Sequence, residues 1–116
     1  MNAFGGSEIE ITPAEAKAML DDGRAVLVDV REQYEWDAGR IAGARHVELE
    51  RLASQASTID KDAPVIFQCR LGARSAMATQ AFRAAGYEAY SMAGGLQRWH
   101  DDGLPLEPEG GTVADH

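Results

Sequence analysis

Residues 63–86 read APVIFQCRLGARSAMATQAFRAAG, and this stretch changes character twice. Residues 64–69, PVIFQC, are an apolar run interrupted only by Gln68, and they end on Cys69. The next three residues contain a glycine. From about residue 75 small and apolar residues recur at helical spacing until Gly86 stops them. The pattern is strand, tight turn, helix. A second continuous run, AVLVDV at 25–30, has no polar alternation, which is the mark of a strand covered on both faces and therefore of a parallel sheet sandwiched by helices.

The remaining segments fit that architecture. IEITPAEAKAMLDDG at 9–23 predicts a short strand followed by a helix with Thr12 as N-cap, Pro13 at the first helical position and Glu15 closing a capping box. ARHVEL at 44–49 predicts a short strand, with a helix over about residues 49–57. YEAYSM at 87–92 predicts another strand and GGLQRWHDDG at 94–103 a last helix. Strands alternate with helices and no repeat is present, so the fold class is α/β, a sandwich around a mainly parallel sheet of four or five strands. Residues 1–8 read as an N-terminal extension, 9–107 as the domain, and the Pro/Gly-rich segment 108–116 as a flexible tail.

Charge and composition restrict the chemistry. The formal net charge is −8, which opposes nucleic acid or an anionic membrane as partner. No 18-residue apolar run and no signal-peptide pattern is present, so the sequence is read as a soluble cytoplasmic domain. Histidines at 46, 100 and 116 show no metal-ligand spacing, and a single cysteine cannot form an internal disulfide. Neither a metal nor another cofactor is implied. Basic residues are few but biased, nine arginines against two lysines, and arginine is the side chain suited to gripping anions in a planar, bidentate way.

Cys69 stands where ligands bind in such folds, beyond the carboxyl end of a buried strand, and DVRE at 29–32 ends the other buried strand at the same rim. A turn opening a helix near Ser75 aims unpaired backbone N–H groups and the positive helix end at the thiol, which favours the thiolate. A buried, inert thiol is the ordinary fate of a lone cysteine. Placing Arg70 and Arg74 beside an inert thiol would cost desolvation with nothing gained, so Cys69 is read as a nucleophile.

These residues resemble a family. CRLGAR at 69–74 is similar to the C-R-x-G-x-R loop of rhodanese-like sulfurtransferases. LVDVREQYEWDAGRIAGARHV at 27–47 resembles the family's D-V-R-E segment, and GGLQRWHDDGLPLE at 94–107 its G-G-x-x-x-W close. The resemblance covers most of residues 9–107. It implies the rhodanese-like three-layer sandwich with helices on both faces, and a sulfane sulfur carried by Cys69 as a persulfide. It also implies that Arg70 and Arg74, with the amides of residues 71–75 (Leu71, Gly72, Ala73, Arg74 and Ser75), hold an anionic donor, thiosulfate or a persulfide. The sulfur then passes to cyanide, a thiol or an acceptor protein. Asp29 and Arg31 are expected to support the site, with Arg31 bracing the rim against a carboxylate.

The span from Cys69 to Arg74 is C-x4-R, one residue shorter than the C-x5-R of cysteine phosphatases of similar fold. One residue adds about 3.8 Å of Cα arc, or roughly 0.6 Å of loop radius. The resemblance implies that this difference separates a cradle for one extra sulfur from one for a phosphoryl group, and the arithmetic is consistent with it. Three positions depart from the family pattern: Arg40 where histidine is usual, Ala42 where proline is usual, and Leu71 where a small polar residue is common. Trp36 and Trp99 are read as packing anchors. Two functions of different class follow, an active sulfurtransferase and a carrier or docking module that holds persulfide sulfur without turning over small molecules. The intact Cys69, Arg70 and Arg74 favour the first.

Overall fold

In the computed structural model, residues 9–116 are described; the N-terminal extension expected at 1–8 lies outside them. Five strands, β1 (Glu10–Ile11), β2 (Val26–Asp29), β3 (Arg45–His46), β4 (Val65–Gln68) and β5 (Ala89–Met92), form one sheet in the order β1-β5-β4-β2-β3. Every pairing is parallel. Among the described residues five α-helices accompany them: α1 (Pro13–Asp21), α2 (Gln33–Ala38), α3 (Leu52–Gln55), α4 (Ala73–Ala84) and α5 (Gly95–Asp101). No helix among the described residues is long and apolar enough to cross a membrane.

The layers follow from the two-residue period of a strand. Val28, Val30, Val65, Phe67 and Cys69 face one side, where they pack with Ala78 and Phe82 of α4 and with Leu52 and Ile59 of the segment around α3. Leu27 and Ile66 face the other side, against Ala16 of α1 and Leu96 and Trp99 of α5. Both central strands are buried on both faces, as their apolar runs require.

Local detail departs from expectation in three places. The predicted helix after residue 49 is broken into a 3-10 turn at Leu49–Arg51, the four-residue α3, and a second 3-10 turn at Ala56–Thr58. Helix α2 has no counterpart in the sequence reading: it is short, and its N-cap is Glu32 instead of the usual Ser, Thr, Asp or Asn. Residues 108–116, set apart by composition, run back along the segment between α2 and β3. Arg40 and Glu107 exchange backbone hydrogen bonds of 2.8 and 2.6 Å, and the Thr112 amide donates to Ala38 O at 2.8 Å. Helix α1, by contrast, has its Thr12 N-cap and the full capping box with Glu15.

The site position follows from topology. The chain leaving β2 goes to β3 on one side, and the chain leaving β4 goes to β5 on the other. The crevice between the ends of β2 and β4 is therefore the topological switch point. Asp29 and Gln68 are register partners there, and the next residues out are Val30 and Cys69.

Trp99 is 2% exposed, fills the core under α5 and donates its indole N–H to Pro105 O at 2.8 Å. Trp99→Ala is expected to lower stability by about 3–5 kcal/mol, measured by urea unfolding at neutral pH. A loss below about 1 kcal/mol would contradict this account of the α5 layer.

Candidate active site

Gly72 caps α4 with φ +121°, a value open to glycine and strained for other residues, and this lets the chain turn sharply from β4 into the helix. The turn folds around the sulfur. Gly72 N–H points to Cys69 Sγ at 3.1 Å and Ser75 N–H at 3.4 Å, while the thiol itself donates toward Ser75 Oγ at 3.6 Å. The Ser75 hydroxyl is fixed in turn by Gly72 O at 3.1 Å and Ser91 Oγ at 2.8 Å. Two N–H donors converging on one sulfur suit an anionic sulfur atom. Cys69 is buried at 1% exposure but lines a cavity of ≈ 160 Å³ with Arg70, Leu71, Ala73, Arg74 and His116.

The carbonyl side of the loop is held by a second helix. Leu96 N–H donates to Cys69 O at 2.8 Å and Gln97 N–H to Arg70 O at 3.0 Å, so the unpaired amides of α5 are consumed by the loop. Gly95 makes this approach feasible, since a Cβ there would lie 2.4 Å from Arg70 O and 2.5 Å from Cys69 O.

The two arginines of the loop differ. Arg74 donates from Nη1 and Nη2 to the two oxygens of Glu35 at 2.8 and 3.0 Å, joining α4 to α2. Arg70 reaches Asp115 Oδ1 with Nη2 at 3.2 Å, while its Nε is buried without a partner. Leu71 is exposed at the rim. Asp29 and Arg31 are both fully buried and do not line the cavity. Arg31 Nε donates to both Asp29 oxygens at 2.9 and 3.0 Å, and its Nη2 donates to Asp29 Oδ2 at 2.7 Å and to Gly39 O at 2.8 Å. His46 Nε2 donates to Arg31 O at 2.7 Å and its ring stacks on Trp36 at 4.9 Å. Arg40 lies over the Trp36 ring, 5.2 Å from the centroid, and no carboxylate partner is found for it among the described residues.

Glu35, Gly95, Ser91, Asp115 and His116 were not singled out from sequence. Glu35 had one signal, a glutamate three residues after a helix start; it accepts from the Glu32 amide at 3.0 Å. Gly95 is the second glycine of the segment that resembles the family's G-G close, and Ser91, Asp115 and His116 had no signal. Among the described residues, Glu32, Glu35 and His116 bring ligand atoms within 4.8 Å of one another, but both Glu35 oxygens are engaged by Arg74, which leaves two exposed groups and a poor cation site.

The Rhodanese-like domain family model matches residues 12–102. This chain belongs to the rhodanese-like domain family. The domain is 36% identical over 99 residues to the thiosulfate sulfurtransferase GlpE of Actinobacillus succinogenes, covering 84% of this chain and 89% of that protein. It is 39% identical over 90 residues to GlpE of Pseudomonas fluorescens, covering 77% and 82%. A crystal structure of a rhodanese-related protein from Thermoplasma volcanium superposes with a TM-score of 0.79 at 26% identity, covering 84% of this chain and 96% of that one. These likenesses support a sulfurtransferase-type role for the rhodanese-like domain.

Burial pushes the Glu35 carboxyl up, but hydrogen bonds from Arg74 and the Glu32 amide outweigh it and hold the group below its ordinary value of 4.5. A carboxyl lowered on folding adds stability above its unfolded pKa and loses it as pH falls through the folded one. Glu35→Ala also leaves the partly buried Arg74 unpaired at the cavity wall, so it is expected to cost about 1–3 kcal/mol at pH 7. The gap from the unaltered domain should narrow below pH of about 4.5, where the native pair is lost as well. Denaturant titrations at pH 7 and pH 3 check this, and a gap unchanged with pH would refute it.

Proposed function

We propose that this rhodanese-like domain transfers a sulfane sulfur through a persulfide on Cys69. The observation that carries the reading is the convergence of the Gly72 and Ser75 amides on Cys69 Sγ, 3.1 and 3.4 Å away, at the wall of a small open cavity. The Cys69 thiolate attacks the outer sulfur of a donor such as thiosulfate. A new S–S bond forms at Cys69 as the donor's own S–S bond breaks, and its electron pair leaves on sulfite. Cys69–S–S⁻ remains, with one negative charge. Cyanide or a thiolate then attacks the outer sulfur, and the Cys69 thiolate leaves. The two half-reactions balance with donor and acceptor alone, and ping-pong kinetics follow.

The residues divide the work. Gly72, Ala73 and Ser75 lie at the amino end of α4, which offers amide hydrogens to the terminal sulfur and the leaving anion. Arg74, tied to Glu35, positions the loop. Arg70 retains one unpartnered donor, Nε, beside the cavity. Leu71 gives the rim an apolar edge. Asp29 and Arg31 support the site indirectly, by fixing the chain from β2 to Gly39.

Millimolar thiosulfate is expected to add the mass of one sulfur atom to the intact protein, and cyanide to remove it as thiocyanate. Cys69→Ser should abolish the gain. No gain, or one that survives Cys69→Ser, would refute the persulfide; a gain without thiocyanate turnover would instead identify a carrier module.

The short C-x4-R loop gives a second test. Aryl phosphates should not be hydrolysed above background, and measurable phosphatase turnover by the unaltered protein would overturn the loop-size argument.

A further inference from the structure

The Cys69 cavity is walled by two arginines, and each already has a carboxylate. Glu35 holds both terminal nitrogens of Arg74 at 2.8 and 3.0 Å. Asp115 holds Arg70 Nη2 at 3.2 Å. Asp115, its side chain 94% exposed, follows three residues after a backbone anchor at Thr112. Thr112 N–H is bonded to Ala38 O at 2.8 Å, and Gly39 lies so close beneath Thr112 that a Cβ would come within 2.4 Å of Thr112 O. Four residues on, His116 lines the Cys69 cavity and stands 3.1 Å from Glu32.

An adjoining cavity of ≈ 250 Å³ shares Arg74 and His116 with the first, and Glu32, Glu48 and Glu50 line it. The sulfur atom therefore sits where two guanidinium charges are met at contact distance by two carboxylates, with further carboxylates one cavity away, in a chain of net charge −8. Coulomb energy is proportional to the substrate's charge, so the repulsion that the Asp115 carboxylate adds weighs twice as much on a dianion as on a monoanion. Leu71, 58% exposed, and Ala73 give the same cavity an apolar wall.

We infer that the cavity, on the sulfurtransferase reading above, selects sulfane-sulfur donors bearing one negative charge and a small apolar group over doubly charged thiosulfate, and that Asp115 sets this preference. Methanethiosulfonate, CH₃SO₂S⁻, is the matched probe. The Cys69 thiolate takes its outer sulfur, the S–S bond breaks, and methanesulfinate leaves with the electron pair, so one charge distinguishes this half-reaction from that of thiosulfate.

Steady-state rates with cyanide as acceptor test the inference. The unaltered protein should show the higher kcat/KM with methanethiosulfonate. Asp115→Asn should raise kcat/KM about two-fold for methanethiosulfonate and about four-fold for thiosulfate, the square expected for a doubled charge, and Asp115→Glu should keep the original ratio. A higher kcat/KM with thiosulfate in the unaltered protein, or equal changes for the two donors in Asp115→Asn, would overturn it.

Alkylation reads the same field without sulfur transfer. The rate ratio of iodoacetate to iodoacetamide at Cys69 should rise about two-fold in Asp115→Asn, because the two reagents differ by one charge. If neither donor loads Cys69, the sulfurtransferase reading fails by itself, while this ratio still decides whether Asp115 governs charge selection: a rise upholds it and an unchanged ratio overturns it.

Discussion

The buried ion pair between Arg74 and Glu35 connects the two segments that the topology drives apart. The chain turns one way after β2 and the other way after β4, and nothing in the sheet beyond the Asp29 and Gln68 register holds the two exits together. A bidentate bond from the first turn of α4 to α2 closes that gap. Glu35 is fully buried and Arg74 partly so, and removal of Arg74 would strand the carboxylate away from water, so the pair acts as a latch and not as a source of net stability. Arg74 is thereby committed to Glu35, and the donors that face Cys69 Sγ directly are backbone amides.

Backbone positioning has a second support in α5. The two carbonyls of the loop, on Cys69 and Arg70, accept from the amides of Leu96 and Gln97, while the Gly72 and Ser75 amides turn inward to the sulfur. The loop is thus held between two helix beginnings, one directing its donors to the backbone and the other to Cys69 Sγ. Trp99, one turn further along α5 and bonded to Pro105, anchors that helix in the opposite layer. Packing beneath the sheet and geometry at the sulfur are linked through a single helix.

The reading from sequence reached those features that local pattern controls. The apolar runs at 25–30 and 64–69 could be buried only in a doubly covered strand, and the Thr12, Pro13 and Glu15 signature could only open a helix. Cys69 at the end of a strand and Gly72 before a helix likewise placed the thiol on the rim. Helix α2 was not legible because six residues give too little periodicity and Glu32 is an unusual cap. Asp115 and His116 were not legible because their composition resembles that of a loose tail, and the backbone pairing of Glu107 and Thr112 with residues 38–40, which turns the preceding segment back, leaves no trace in side-chain pattern.

By itself the sequence determined the α/β layering, the parallel sheet, and the cysteine loop of the rhodanese-like family with its size, because each depends on residues that are neighbours in the chain. Only the tertiary structure decided which carboxylate each arginine meets. Glu35 lies 39 positions from Arg74, and Asp115 lies 45 from Arg70. Such pairings arise when the sheet order brings separate loops to one rim, and charge balance at a site is a sum over what has been brought there. No motif contains that sum, because electrostatic interactions act through distance in space and not through separation along the chain.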